Sequence, residues 1–187
     1  MPNKPNLEPW KLTHEEPALT TPRFTITKRI YRTPWNYDAT FWIHSASDSV
    51  ICFCLNEQNQ VLIERQYRPA IGRVSVDFPA GKLEASDASP EAGMRRELAE
   101  ELAFQPTELK LLGTIDKEPG WSESKLYVFL ARGALNGTPK PDKTESLEIK
   151  SIPVESVLDL IGSSQMTCSF CLTTTLLAFR ELKLPIS

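Results

Sequence analysis

The sequence predicts a mixed α/β domain with helices packed on both sides of its sheets. Three features point there: short alternating apolar runs in the first half of the chain, one sharply bounded helix near residue 90, and two more helical stretches at the C-terminal end.

Residues 1–22 are rich in Pro, Glu and Thr and lack periodicity, so they read as an irregular arm. RFTITKRIY (Arg23–Tyr31) alternates as a strand, RTPWNYD interrupts it, and ATFWIH resumes. SVICFCL and QVLIERQY are two strands joined by the polar turn NEQNQ, and VSVDF is a shorter one. The following PAGKLEASDAS is a loop by its Gly, Pro and Ser content. Ser89 then suits an N-cap, Pro90 the first helical position and Glu91 the first turn. Met94, Leu98 and Leu102 recur every fourth residue as a core-facing stripe, and the helix ends before Pro106. LKLLGTID and KLYVFLAR are strands flanking the loop KEPGWSES, and GALNGTPKPDKTES is a polar loop before the strand LEIKSIP. Helices follow over about Val154–Ile161 and Gln165–Leu182, and no internal repeat is present.

The 187 residues are 41% hydrophobic and 24% charged, enough for a sizeable core. A net charge of -3 offers no basic surplus for a nucleic-acid partner. No apolar run approaches the roughly 20 residues that span a bilayer, and the N-terminal stretch lacks the apolar segment of a signal peptide. The expectation is a cytoplasmic protein with no membrane partner. Cys52-x-Cys54 lies in an alternating strand and Cys168-x-x-Cys171 has no histidine nearby in sequence, so both read as reduced buried thiols rather than a zinc site.

RRELAEEL (Arg95–Leu102) sets Glu97, Glu100 and Glu101 on one helical face. Like charges so spaced cost about 0.2–0.5 kcal/mol per pair, and only Arg96 is placed to pair forward, with Glu100. Two readings stand at this point: a solvated acidic face, or a seat for a hard divalent cation that shares carboxylates, water and substrate phosphates.

GKLEASDASPEAGMRRELAEELAF (Gly81–Phe104) resembles the Nudix box, G-x5-E-x7-REUxEExGU, with Arg96, Glu97, Leu98, Glu100 and Glu101 in the REUxEE positions. The loop is one residue longer than the pattern, so Asp87 or Glu84 must stand for the first glutamate, and Ala103 replaces the glycine. The resemblance implies a Nudix-fold α/β/α sandwich, with residues 1–45 as an N-terminal β extension and dimerisation element and 46–187 as the hydrolase domain. It implies Glu97, Glu100 and Glu101 as ligands of Mg²⁺, with Mn²⁺ as a substitute, and Arg96 as their orienting partner.

QVLIERQYRPAI and DFPAGKLE resemble the ADP-ribose and nucleoside-diphosphate-sugar pyrophosphatases of that family. By that likeness Arg68 contacts phosphate through its planar fork, with Arg65 and Arg73 able to do similar work or to be solvated charges. Gly81, Pro119, Gly120 and Trp121 fall near the substrate, Glu123 is carried over one residue out of place, and Trp35 is the first choice to stack on the base. The catalytic base is Glu145 or Glu148, from the loop and strand near residue 147, with Glu100 or Glu101 as competitor. The implied reaction is metal-dependent hydrolysis of ADP-ribose, or of a nucleotide sugar such as GDP-mannose, by a homodimer. The alternatives are a hydrolase of dinucleoside polyphosphates or oxidised nucleotides, and a non-catalytic nucleotide-binding regulatory domain, which retention of all three glutamates disfavours.

Overall fold

A computed structural model describes residues 7–140 and 147–185. The chain forms two compact units. One comprises the chain up to Ser47 with Asp116–Ser124, the other Asp48–Ile115 with the chain from Lys125 onward.

The first unit is an antiparallel sheet of β1 (Lys11–Thr20), β2 (Phe24–Arg32) and β3 (Asp38–Ala46), with β2 in the middle. The expected irregular arm is therefore corrected: Lys11–Thr20 within it is strand β1. Its residues are exposed on both faces, so no apolar alternation marks it. Register shifts fall at Leu12/His14 and Pro17/Leu19, which seats Pro17 beside a bulge on an edge strand, where its missing N–H is tolerated. Between β2 and β3, Asn36 takes a left-handed conformation (φ 63) and donates its N–H to Thr33 O.

In the second unit β4 (Ser49–Leu55) runs antiparallel to β5 (Val61–Arg68) and parallel to β9 (Lys125–Leu135). The sheet order is β10-β5-β4-β9-β8, with β8 at Phe104–Asp116 and β10 at Leu147–Ile152; β6 (Arg73–Asp77) pairs β5, and β7 (Ala80–Lys82) pairs β4. The β7 pairing falls within the stretch that reads as loop, because three residues are too few to show a period.

Successive β4 residues serve two cores. Val50, Cys52 and Cys54 pack with Met94, Leu98 and Leu102 of α1 (Pro90–Leu102). Ile51, Phe53 and Leu55 pack with Val157 of α2 (Ser156–Gly162) and Cys171, Ala178 and Phe179 of α3 (Ser169–Leu182). The helices thus cover both faces of the sheet, as the sequence predicts. Leu98 is fully buried, and burying such a side chain stabilises by about 1.5–3 kcal/mol. Both C-terminal helices start later than their apolar patterns. Pro153 and Val154 instead form a turn before α2, and Ser164, in the left-handed region (φ 59), leads into an extended stretch before α3. Among the described residues no helix is long and apolar enough to cross a membrane.

Candidate active site

Helix α1 begins as read: Ser89 Oγ accepts from Ala92 N–H at 3.1 Å, and Pro90 opens the first turn. One four-residue stripe, Met94, Leu98 and Leu102, anchors the helix, and the carboxylates ride beside it. Glu101 is buried (4% exposed) and its Oε2 accepts from Ala80 N–H at 3.2 Å, tying the helix to β7. The Glu97 carboxylate lies directly over Gly81, where an added Cβ would stand 1.9 Å from Glu97 Cδ. Gly81 is therefore required by the glutamate above it. Glu100 is the exposed member of the trio, with its carboxylate next to Arg96.

Arg96 turns its donors inward. Nε donates to Asp87 Oδ1 at 3.1 Å and Nη2 to Asp87 Oδ2 at 2.8 Å. Nη1 reaches Glu97 Oε1 at 2.9 Å and Glu100 Oε2 at 3.2 Å, and Nη2 also meets Lys82 O. The hydrogen bonds from Arg96, helped by the Glu84 N–H, hold the Asp87 carboxyl down at about 2. Glu84 is exposed and comes no closer to Arg96 than 4.0 Å.

The donor set suits a hard cation. Three carboxylates (Asp87, Glu97 and Glu100) gather around a single guanidinium, Glu101 follows Glu100 on the same helix, and every side-chain donor atom offered to a metal is oxygen. Among the described residues the three glutamates do not converge as a trio to within 4.8 Å. A cation there would use one or two of them with water and phosphate oxygens, the coordination that Mg²⁺ favours.

A second arginine sits at the end of β5. Arg68 donates from Nε and Nη2 to Asp77 Oδ2 at 3.0 and 2.8 Å, and Ser75 Oγ donates to Asp77 Oδ1 at 3.1 Å. By strand alternation Arg68 shares its side of β5 with Leu62 and Glu64, the face that α1 covers. Arg65 and Glu148 do not join that face. They pair with each other across β5 and β10, on the side of Ile63 and Ile152 that packs toward α2 and α3. Lys150 and Arg65 together hold the Glu148 carboxyl below its ordinary range. Glu148 is thus a strand carboxylate that pairs with two cations, Arg65 and Lys150. Arg73 donates to Thr167 Oγ1. Glu145 lies outside the described residues.

The remaining residues expected near substrate belong to the first unit. Asp116–Ser124 docks on β3 through His44 N–H to Trp121 O (2.7 Å) and Glu123 N–H to His44 O (3.2 Å). Glu123 binds Arg29 and Ser45, which lower its pKa, so its carboxylate is committed within the unit. Gly120 has open space where a Cβ would be, and Pro119 precedes it on the same turn. Trp121 packs on His44 with ring centres 5.0 Å apart, and Trp35 stacks on Tyr37 and meets the edge of Trp10. Both tryptophans stay nearly half exposed.

A family model described as the NUDIX domain matches residues 46–167. The chain belongs to the Nudix family. It is 28% identical over 120 residues to an ADP-ribose pyrophosphatase of Bacillus subtilis (strain 168), covering 63% of this chain and 64% of that protein. It is 31% identical over 114 residues to an ADP-sugar pyrophosphatase of Mus musculus, covering 56% of this chain and 52% of that protein. The chain thus matches less than two thirds of the length of these relatives. The crystal structure of an ADP compounds hydrolase shares the fold with a TM-score of 0.84 at 17% identity, covering 96% of this chain and 97% of that one.

The two departures of this Nudix box now have physical accounts. Asp87, not Glu84, fills the acidic place against Arg96 despite the longer loop. Ala103 adopts the left-handed conformation of a helix C-cap (φ 50, ψ 37), a geometry glycine reaches without strain. Two features of the Nudix domain escaped sequence reasoning. Glu64 is a buried carboxylate on β5, and its signal is a glutamate at an inward alternate position of an apolar run, two residues after Leu62. The other is a group of Asp77, Cys168 and Cys171, whose ligand atoms lie within 4.8 Å of one another. A search for histidine partners overlooks it because the third member is an aspartate 91 positions away (168 − 77).

Proposed function

We propose that this Nudix protein hydrolyses the pyrophosphate bond of ADP-ribose, or of a nucleoside diphosphate sugar such as GDP-mannose, in the presence of Mg²⁺ or Mn²⁺. The products are a nucleoside monophosphate and a sugar phosphate. The observation that carries this reading is the glutamate face of α1, locked by the Arg96–Asp87 pair and by Gly81. The names of the two curated relatives support the substrate class.

Glu97, Glu100 and Glu101 would hold the cation, which when bound neutralises charge developing on the phosphoryl oxygens. Arg96 orients Glu97 and Glu100 without meeting substrate. Arg68, anchored by Asp77, binds a phosphate of the substrate. Glu100, the exposed carboxylate of the trio, accepts the proton of the attacking water; Glu145 is the alternative base. In the first unit, Trp35 and Trp121 offer exposed rings of the kind on which a nucleobase stacks, and the exposed aromatic residues of that sheet support a homodimer.

The test is incubation with ADP-ribose, GDP-mannose and a panel of nucleotide sugars, with Mg²⁺, with Mn²⁺ and with chelator, followed by chromatography. AMP and ribose 5-phosphate, formed only with metal, are the expected products of ADP-ribose. No turnover of any substrate sinks the reading.

A further inference from the structure

The start of α3 carries a dithiol for which the proposed hydrolysis has no use. Cys168 is the N-cap residue of this 14-residue helix and is partly exposed, while Cys171 lies in its first turn and is buried. Both sulfurs and an Asp77 carboxylate oxygen fall within 4.8 Å of one another. Cys171 carries one S–H, which reaches Asp77 Oδ1 (3.7 Å) or, once Cys168 is ionised, the Cys168 sulfur, and Cys171 Sγ accepts from Phe78 N–H (3.5 Å). Oδ2 of the same aspartate anchors Arg68.

We propose that Cys168 and Cys171 are a redox-active pair that closes a disulfide on exposure to a hydroperoxide, and that this bond loosens the Asp77 anchor of Arg68. The spacing is right, because i and i+3 at a helix start share one face. The two thiols also differ as an attacking and a resolving cysteine must. The hydrogen bond with Cys171, together with the backbone N–H groups of Cys171 and Phe170, draws the Cys168 thiol down to about 6. The same hydrogen bond, with burial, pushes Cys171 up. A metal ion is the weaker reading of this group. It offers three ligand atoms, one short of a closed tetrahedral site, and both Asp77 oxygens already accept hydrogen bonds.

In the first step the Cys168 thiolate attacks the peroxide O–O bond, forming a sulfenic acid and releasing hydroxide. In the second, the Cys171 thiol displaces the sulfenic oxygen as water and the S–S bond forms. The hydroxide takes up the proton that Cys168 shed on ionising, so the two thiols lose two electrons and hydrogen peroxide is reduced to two waters (an organic hydroperoxide to an alcohol and one water). Cys171 then has no S–H for Asp77 Oδ1, which keeps only the Ser75 hydroxyl. The effect on catalysis rests on the proposed role of Arg68.

The experiment uses the full chain, reduced and then treated with hydrogen peroxide, denatured, alkylated and digested with trypsin. Peptide Ser151–Arg180 holds both cysteines and should appear two hydrogens lighter and unalkylated, reverting with dithiothreitol. Cys52 and Cys54, fully buried in β4, should alkylate after denaturation as in the untreated protein. Cys171→Ser should stop at a sulfenic acid trapped by dimedone, and Cys168→Ser should show neither product. A fully alkylated Ser151–Arg180 after peroxide overturns the proposal. The anchor is read without turnover from the Arg68 Nε–H resonance, assigned with Arg68→Lys, which should exchange faster with water in the oxidised protein. A disulfide with unchanged exchange overturns the coupling. KM for ADP-ribose should rise roughly tenfold on oxidation with kcat preserved, and not at all in Cys168→Ser. Absence of turnover in the reduced protein instead sinks the hydrolase reading and leaves the peptide and resonance assays intact.

Discussion

Two arginines of the larger unit are held alike and left in different states. Arg96 and Arg68 each give Nε and Nη2 to an aspartate whose side chain is only 7% exposed. Arg96 is itself 22% exposed, and its remaining donors meet Glu97, Glu100 and Lys82. Arg68 is 44% exposed, twice the figure for Arg96. An aspartate clamp fixes a guanidinium in both places. What the remaining donors face decides whether the arginine orders neighbouring carboxylates or is available to an arriving anion.

The comparison rests on the carboxylates beside Arg96, and removing them should have the largest effect. Glu100→Gln and Glu101→Gln are expected to lower kcat/KM by about 10²–10⁴-fold while circular dichroism stays unchanged. Near-normal activity in both would refute the assignment. Loosening the Arg96 clamp with Asp87→Asn, or displacing Glu97 with Gly81→Ala, should cost about 10–100-fold in activity or metal affinity, the scale of lost supporting contacts. Asp77→Asn should behave differently, with KM rising about tenfold and kcat nearly retained. Equal kcat losses in Asp87→Asn and Asp77→Asn would break the contrast between the two clamps.

Acid sharpens it further. The Asp87 carboxyl is depressed to about 2, against about 3.9 for an unperturbed aspartate. A depressed carboxyl stabilises the fold above its unfolded pKa and loses that contribution as pH falls through the folded value. Wild-type protein should therefore lose stability between about pH 4 and 2 by a term missing in Asp87→Asn, as urea titrations at both ends would show. The smallest effect is expected at Ala103, which touches neither clamp. Ala103→Gly relieves a left-handed alanine and should stabilise by about 1 kcal/mol, visible as a higher Tm at unchanged activity.

Much of the carboxylate site was legible because its information is local. The Ser89 cap, the Met94–Leu98–Leu102 stripe and the three glutamates all lie within fourteen consecutive residues (89 to 102). Strand β1 was not legible, since exposure on both faces removes the alternation that reveals a strand. Nor did any local pattern announce that Asp116–Ser124 docks on β3, or that Glu123 is taken up by Arg29. Those contacts join residues 77 (121 − 44) to 94 apart. The pairing of Arg65 with Glu148 is equally remote, so resemblance alone placed both at the substrate.

Strand β4 has a consequence for how the Nudix domain comes apart. All six residues from Val50 to Leu55 are at most 2% exposed, three in each core. With both faces covered and strands on either edge, its amides are sealed from solvent by the whole unit. Local fraying at α1 or α3 leaves them protected, so only global opening exposes them. In hydrogen–deuterium exchange the β4 amides should be the last to acquire label, and their rate reports the free energy of the entire fold.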